Sequence, residues 1–466
     1  MIPNSKLILD DIFGWEISEK EGTPRTPVDL GESLGVILGS PFVSRSGEGA
    51  TEPAKPTYRK LLTAWERSVI ETAKENGELL CRKARWPKAA PFALFLSHDI
   101  DQIHDRELFR WLGDINHLKR HWRHGERCNS KACLKRILRP LFRPADPYDQ
   151  FAAIRRIEGR HGWASTFFLL EDTYWARMGG RFNWIDPSFE RISKYLLDEG
   201  CELGIHGSAY SHDNPQWWKA ITSRFASLYG RPAIGARNHY LKLKVPQTWE
   251  CQREAGLLYD TTFGYPNQLG APGDFCYPFQ VPSQQGNSPG AFVELPLSVM
   301  DQTLFRYLNL EGDAAFAKSR DYLSQIIEAG GLAVLLWHNN FFHEEEYQEW
   351  EQTYDQLLSW LALQDPWAAC GRDIAAWWVG RGSARLATEE AGVGGKSWQI
   401  TCEQAVDNLA VEIFGTRTGD LIESNVAFQE TRKELGHSVV IFPHLDAGAA
   451  VSFRVKKAPG HNRLSL

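Results

Sequence analysis

The sequence lacks the patterns that mark secreted, membrane-spanning or cysteine-stabilised proteins. Its eight cysteines are scattered and no two form a CxxC pair, which indicates neither a zinc knuckle nor a disulfide framework. The most apolar late run, residues 331–337, is far shorter than the roughly 20 residues that a bilayer-spanning helix needs. No basic segment followed by an apolar one opens the chain, so we expect no secretory signal and a cytoplasmic location.

The sequence also lacks an excess of positive charge. The formal net charge of −6 gives no reason to expect nucleic acid or an anionic membrane as a partner. A hydrophobic content of 43% with 24% charged residues is typical of a globular protein with a large core. Because 466 residues exceed the length of one ordinary domain, two or three domains are expected, while nothing in the sequence indicates an oligomeric state.

The middle of the chain, residues 91–382, alternates between strand and helix patterns. This alternation predicts a mostly parallel α/β sheet, either open or closed into a barrel. Short apolar runs predict the strands, and apolar residues at helical spacing predict the helices. The predicted strands are 92–96, 165–170, 202–205, 292–295 and 332–337, and the predicted helices include 151–160, 188–199, 247–255 and 312–329.

The sequence patterns at the two ends of the chain differ from that of the middle region. Residues 1–90 contain a helical pattern over 58–82 and no chemical motif, so we interpret them as a cap region that packs on the next domain. The run Gly392-Val393-Gly394-Gly395 indicates a linker. Residues 390–466 then alternate like short strands separated by polar turns, which predicts a small C-terminal β-sandwich as an accessory domain.

A basic segment interrupts the middle region early. Residues 105–145 hold many arginines and lysines and few acids. A solvated helical excursion is one interpretation of this segment. The other is a basic wall beside the site, suited to an acidic sugar or a pyrophosphate-linked lipid. The sequence leaves both interpretations open.

The strongest chemical signal lies where the first strand of the middle region ends. The apolar run 91–96 stops at Ser97-His98-Asp99-Ile100-Asp101. Two carboxylates one residue apart, beside a histidine, can bind a cation and still leave one base free. A solvated turn capped by an aspartate is the structural alternative. Similar strand ends downstream favour the functional interpretation.

Four later segments place ionisable side chains after strands or in tight turns. A histidine at a strand end suits a zinc-type ion or proton transfer, and an arginine can hold a carboxylate in its charged form. Because strand ends of a parallel sheet meet at one edge, we expect these side chains to lie close together. They are His206 with His212, Arg237 with His239, Asp260, and His338.

The order of these motifs resembles the polysaccharide deacetylase family, which shares the NodB homology domain and includes carbohydrate esterase family 4. The resemblance covers residues 92–380 and extends to a closing helix at Gly371–Trp378. It implies an α/β fold, a distorted (β/α) barrel of the NodB type, flanked by the N-terminal cap and the C-terminal β-sandwich. It also implies a hydrolase that removes N-acetyl groups from an amino sugar in a polysaccharide or glycan precursor.

The same resemblance implies a metal site for zinc or another divalent ion. Asp101 takes the position of one ligand, and His206 matches the first histidine of the family's second motif. Tyr210 stands four residues later, where that motif has its second histidine. The third ligand is therefore expected to be His212 as first choice or His239 as second.

The remaining positions imply the catalytic roles. Asp99 takes the position of the base, and Arg237 that of the arginine that fixes it. Asp260 falls where the fourth motif's aspartate is expected, and His338 matches the histidine that supplies the general acid. Together they imply that water attacks an N-acetyl carbonyl and that the amine leaves with a proton from His338.

Two other functions stay open at this point. One is a metal-independent amide hydrolase of the allantoinase-like type on the same barrel. The other is a non-catalytic carbohydrate-binding or scaffold protein, which the departure at Tyr210 and the added C-terminal module both allow. Metal content separates the first alternative from the main hypothesis, and acetate release separates the second.

Overall fold

The core of the protein is a ten-stranded, mainly parallel sheet. The computed structural model describes residues 57–103, 149–170, 183–282, 291–342, 347–389, 395–434 and 436–458. Neighbouring strands in the sheet follow the order β7-β8-β6-β5-β4-β3-β2-β10-β9, with β11 paired to the start of β2. These strands are β2 (Ala93–Ile100), β3 (Thr166–Leu170), β4 (Glu202–Gly207), β5 (Gly235–Asn238), β6 (Tyr259–Asp260), β7 (Phe279–Gln280), β8 (Val293–Glu294), β9 (Val299–Met300), β10 (Leu332–Leu336) and β11 (Trp367–Ala368).

Helices connect most of the parallel strands, as the alternating pattern predicted. Two of the described helices begin at a side-chain cap followed by proline: Asp186 accepts the backbone N–H of Ser188, and Asn214 accepts that of Trp217. Among the described helices, none has both the length and the apolar character that crossing a membrane requires. The helices are α1 (Tyr58–Glu75), α2 (Phe151–Gly159), α3 (Pro187–Asp198), α4 (Pro215–Tyr229), α5 (Gln247–Glu254), α6 (Gly312–Glu328), α7 (Gln348–Ala362) and α8 (Gly371–Ser383).

The parallel sheet curls into a distorted barrel. Strands β8 and β9 lie at opposite ends of the parallel strand order, yet only residues 295–298 join them. In a flat sheet, seven strand spacings would separate them by about 34 Å. The connection between Glu294 and Val299 spans at most about 18 Å even when fully extended. The sheet must therefore close on itself, and the predicted (β/α) barrel is confirmed.

Two four-stranded antiparallel sheets pack face to face beside the barrel. One has the order β12-β13-β18-β15 and the other the order β1-β14-β17-β16. They face each other through Phe442 and Phe453, whose ring centroids lie 5.8 Å apart. The strands are β1 (Leu80–Lys83), β12 (Ala384–Glu389), β13 (Gly395–Cys402), β14 (Val406–Phe414), β15 (Leu421–Ser424), β16 (Gln429–Glu434), β17 (His437–Leu445) and β18 (Ala450–Lys456).

Strand β1 comes from the segment that the sequence predicted to be helical through residue 82. Helix α1 instead ends at Glu75, and β1 pairs antiparallel with β14 in the register Leu80 to Phe414. A strand of the N-terminal region thus completes a sheet of the C-terminal region. The domain boundaries at residues 90, 382 and 390 stay predictions, and residues 1–56, the basic segment 105–145 and the linker glycines before Gly395 lie outside the described residues.

Candidate active site

The ionisable side chains meet at the carboxyl ends of the barrel strands. Asp99 is the penultimate residue of β2, and His206 stands near the end of β4. Arg237 lies in β5, and His338 follows β10 by two residues. Each side chain is buried, with 5% or less of its residue surface exposed, so the rigid sheet holds all four in fixed positions.

Three side chains form a candidate metal centre. The ligand atoms of Asp101, His206 and His239 all lie within 4.8 Å of one another. Asp101 Oδ1 is 3.6 Å from His206 Nε2 and 3.8 Å from His239 Nε2. A tetrahedral ion with ligand bonds of about 2.0–2.2 Å separates its ligand atoms by about 3.3–3.6 Å. The observed spacing is close to what a zinc-type ion needs.

The polar atoms of this group fit a cation. Asp101 Oδ1 and His206 Nε2 are buried and have no hydrogen-bond partner among the described residues. His206 Nδ1 lies 2.8 Å from the Arg237 carbonyl oxygen and donates to it, so Nε2 keeps its lone pair facing the group. Burial lowers the pKa of His206 to about 4, which leaves the imidazole neutral and able to bind metal at pH 7. The residues present therefore fit a divalent ion.

The first choice for the third ligand, His212, does not join this group. Its Nε2 lies 4.0 Å from Asp213 Oδ2, in the turn that leads from β4 to α4. The second choice, His239, follows β5 directly, and β5 is the strand next to β4 in the sheet. Adjacent parallel strands bring their ends together, whereas the turn carries His212 onward toward a helix. The geometry reverses the expected order of the two histidines.

Asp99 is held as a carboxylate by Arg237. The guanidinium is fully buried, and its Nη1 donates to Asp99 Oδ1 at 3.0 Å and to Ser97 Oγ at 2.9 Å. Burial alone would raise the pKa of Asp99, but three groups outweigh burial and lower it: His206, which is charged only at the low pH where Asp99 titrates, Arg237 and His338. The other oxygen, Oδ2, lies 3.5 Å from His206 Nε2 and faces the metal ligands. Asp99 is thus an ionised acceptor beside the candidate metal centre.

His338 is held as an imidazolium by an aspartate that sequence analysis missed. Its Nδ1 lies 2.9 Å from Asp301 Oδ1, and its backbone N–H donates to Asp301 Oδ2 at 2.7 Å. Burial lowers the pKa of His338, but the charge and hydrogen bond of Asp301 outweigh burial and raise it to about 9. At neutral pH this histidine therefore carries a proton that it can donate.

Asp260, predicted to be catalytic, points away from this site. In β6 its neighbour Tyr259 faces the barrel interior against Phe95, so Asp260 faces the opposite side, toward α5. It accepts hydrogen bonds from Gln252 Nε2 and from Thr262. It also forms a hydrogen-bonded pair with Glu294. Burial and the charge of Asp260 raise the pKa of Glu294 far above its usual range. The aspartate in contact with His338 is Asp301, and Asp260 stabilises the turn after β6.

The fold and the site together define an α/β barrel with a candidate metal centre at the carboxyl ends of its strands. No protein-family model matches the chain, and no curated protein matches it. Several solved structures are similar. A polysaccharide deacetylase candidate from Mycobacterium smegmatis is 18% identical, covers 62% of this chain and 91% of its own length, and has a TM-score of 0.42.

Two further solved structures have a similar identity, coverage and TM-score. The PuuE allantoinase is 14% identical over 64% of this chain and 93% of its own length, with a TM-score of 0.44. A polysaccharide deacetylase candidate from Pseudomonas aeruginosa PAO1 is 14% identical over the same shares, with a TM-score of 0.43. The expected resemblance is confirmed as a structural likeness. At these identities and TM-scores it carries no argument about activity, substrate or site residues.

Proposed function

We propose that the protein is a metal-dependent hydrolase that removes N-acetyl groups from an amino sugar in a polysaccharide or glycan precursor. One arrangement of side chains supports this proposal. The ionised carboxylate of Asp99 lies beside a set of metal-ligating atoms. The protonated His338 lies near enough to lower the pKa of that carboxyl. Hydrolysis of an unactivated amide needs a base for water, stabilisation of the oxyanion and an acid for the amine.

Asp101, His206 and His239 would hold the ion. Their donor set, one carboxylate oxygen and two imidazole nitrogens, is one that zinc commonly uses in catalytic sites. When bound, such an ion polarises an amide carbonyl and lowers the pKa of a water molecule. Tyr210 contributes no ligand in this proposal; its residue surface is 63% exposed, and it is not part of the donor set.

The chain's own residues supply the two proton transfers. Asp99 Oδ2 accepts the proton of the attacking water, while Arg237 keeps Asp99 ionised and fixes its orientation. His338 donates its Nε2 proton to the nitrogen of the leaving amine, because its Nδ1 is engaged by Asp301. The carbon–nitrogen bond breaks, and the products are acetate and a free amine.

The carbohydrate part of the proposal rests on the sequence resemblance alone. The five motifs follow in the order found in polysaccharide deacetylases, with Asp99, Arg237 and His338 at matching positions. The site geometry by itself supports an amide hydrolase without naming the amine.

Zinc analysis combined with acetate release tests the proposal. We expect about one zinc per chain, acetate release from at least one N-acetylated oligosaccharide, and loss of activity on chelation that added zinc restores. Full activity without metal would instead support the metal-independent amide hydrolase. Sugar binding with no acetate release from any N-acetylated substrate would support the binding or scaffold protein.

A further inference from the structure

Two consecutive residues occupy both nitrogens of one imidazole. Asp301 bonds to His338 Nδ1, and the side-chain amide nitrogen of Gln302 lies 3.1 Å from His338 Nε2. The pair follows the short strand β9, and the backbone N–H of Gln302 donates to Asp301 Oδ1 at 2.5 Å. Asp301 is therefore shared between the histidine and the backbone that carries Gln302. The carboxylate and the amide thus contact the two nitrogens of the ring.

We propose that Gln302 is a positioning residue for His338, whose amide serves as hydrogen-bond partner of Nε2 in both protonation states of the ring. The inference deepens the proposed function, since it concerns the same proton donor. It assigns to Gln302 no contact with substrate. Its role is to fix the direction of the single nitrogen through which His338 exchanges protons, because Nδ1 is committed to Asp301.

An amide suits this place because it has a donor end and an acceptor end. With the nitrogen toward the ring, as the structure has it, the amide donates to the lone pair of a neutral imidazole. A half-turn about its terminal torsion, which is broad and costs little, brings the carbonyl oxygen forward to accept from an imidazolium. No other uncharged side chain of this length offers both ends. An ionised glutamate can only accept, and a methionine has no donor and only a weakly accepting sulfur.

The charges that face His338 set the expected direction of the effect. They are Asp301 at contact distance and, further away, Asp101 and Asp99, all of which favour the imidazolium. Hydrogen bonds to charged groups are stronger than those between neutral groups. The amide should therefore stabilise the imidazolium more than the neutral ring. Removing it should lower the pKa of His338, and replacing it by a carboxylate should raise that pKa.

The test is an NMR titration of His338 in protein with labelled histidine side chains. The chain has 14 histidines, and the His338 signal is assigned by its loss in His338→Gln. Wild type, Gln302→Met and Gln302→Glu are compared at the same zinc content. We expect Gln302→Met to lower the pKa of His338 by roughly 0.5–1 pH unit and Gln302→Glu to raise it.

A matched control is Gln364→Met, since Gln364 is also half-buried and its amide contacts a backbone carbonyl, at Trp360. This variant should leave the His338 titration unchanged. A His338 pKa equal to that of wild type in both Gln302 variants would overturn the inference and leave Gln302 a packing residue. The titration uses no substrate, so it gives its answer even if no acetate release is found and the proposed function fails.

Discussion

Two buried clusters of charged residues lie at opposite ends of the barrel strands, and they differ in whether each charged group contacts one of opposite sign. At the carboxyl ends, Asp101 Oδ1 and His206 Nε2 are buried without a hydrogen-bond partner among the described residues. Near the amino ends, a second cluster connects α1, β1, β14 and β17 through ion pairs among its own members. We call this cluster the junction; it consists of Glu66, Arg82, Arg85, Glu412 and His437.

The junction holds the antiparallel sheets against the barrel. Arg82 bonds to Glu66 of α1 and, through Nε, to Glu412 Oε2 of β14 at 2.7 Å. Arg85 Nη2 donates to the same Glu66 at 2.6 Å and, through Nη1, to the Ala329 carbonyl just before β10. Burial by itself would raise the pKa of the Glu412 carboxyl. The nearby Arg82 and His437 outweigh burial and hold that pKa far below its usual range.

The comparison separates structural charge from functional charge. A buried ion cluster whose members bond to one another keeps its geometry without any ligand, so it acts as part of the core. A buried cluster with unpartnered atoms aimed at a common point carries a desolvation cost that only a ligand offsets. Substitutions in the junction should therefore change stability, and substitutions at the carboxyl ends should change chemistry or metal binding.

The largest expected effect is on turnover, from Asp99→Asn. The asparagine keeps the shape and one carbonyl oxygen but accepts no proton, so acetate release should fall by roughly 10²–10⁴-fold while zinc stays bound. Asp101→Asn should instead weaken zinc binding, with activity partly recovered in excess zinc. Acetate release and zinc titration on the two purified variants check this.

The control for these aspartate variants is Asp198→Asn at the exposed end of α3, which should alter neither measurement. If Asp99→Asn lost its zinc and Asp101→Asn kept it, the assigned roles of base and ligand would be reversed. If both variants lost thermal stability with no dependence on metal, the two carboxylates would be turn caps.

The next effect is on folding stability, from Arg82→Met in the junction. This change leaves Glu412 and Glu66 buried with fewer partners, and breaking a buried ion pair costs about 3–5 kcal/mol. Chemical denaturation measures the loss. The control is Arg385→Met, because Arg385 and Glu403 form an exposed pair worth at most about 1 kcal/mol. Equal, small losses in both variants would refute the structural role of the junction.

Sequence patterns sufficed for those site residues that follow long strands. Strands β2, β4 and β10 have five to eight residues, enough for an apolar run to be recognised, and each is followed or ended by an ionisable side chain. Asp99, His206 and His338 were predicted on that basis. Because parallel strands place their carboxyl ends at one edge, their proximity followed from the topology.

Asp301 and β1 were missed for two different physical reasons. Asp301 follows β9, whose two residues, Val299–Met300, are too few to show any period. Its pairing with His338 arises only because β9 lies beside β10. Strand β1 pairs with β14 across more than 300 residues, and a local pattern contains no information about such a distant partner. In both cases long-range pairing, not local propensity, determines the structure.

A third effect concerns metal affinity and distinguishes two histidines. His239→Ala should weaken zinc binding more than about tenfold, since loss of even an outer-shell partner of a metal ligand costs 10–100-fold. His212→Ala is the matched control and should bind zinc as wild type does, because His212 lies outside the donor set. Competition with a coloured chelator measures both affinities. Weaker binding in His212→Ala together with unchanged binding in His239→Ala would restore the order expected from the sequence.

The last expected effect is a pH dependence of stability at the amino end of the barrel. Glu202, at the start of β4, accepts hydrogen bonds from Thr166 Oγ1 at 2.8 Å and from the backbone N–H of Arg372 at 2.9 Å. Its other oxygen, Oε1, is buried without a partner among the described residues. Burial raises the pKa of Glu202 to about 7, so the folded protein favours the protonated carboxyl.

The raised pKa of Glu202 determines how folding stability changes with pH. The folded state binds this proton more tightly than the unfolded state, so the stabilisation is complete below about pH 4.5 and is lost as pH rises through 7. Glu202→Gln mimics the protonated carboxyl at every pH and should be more stable than wild type above pH 7, by up to about 3 kcal/mol. Melting temperatures of both proteins between about pH 5 and 8 measure the difference, with Glu75→Gln on the exposed end of α1 as control. Parallel curves for wild type and Glu202→Gln would mean that Glu202 is ionised in the folded protein, stabilised by its two donors as the junction carboxylates are by their arginines.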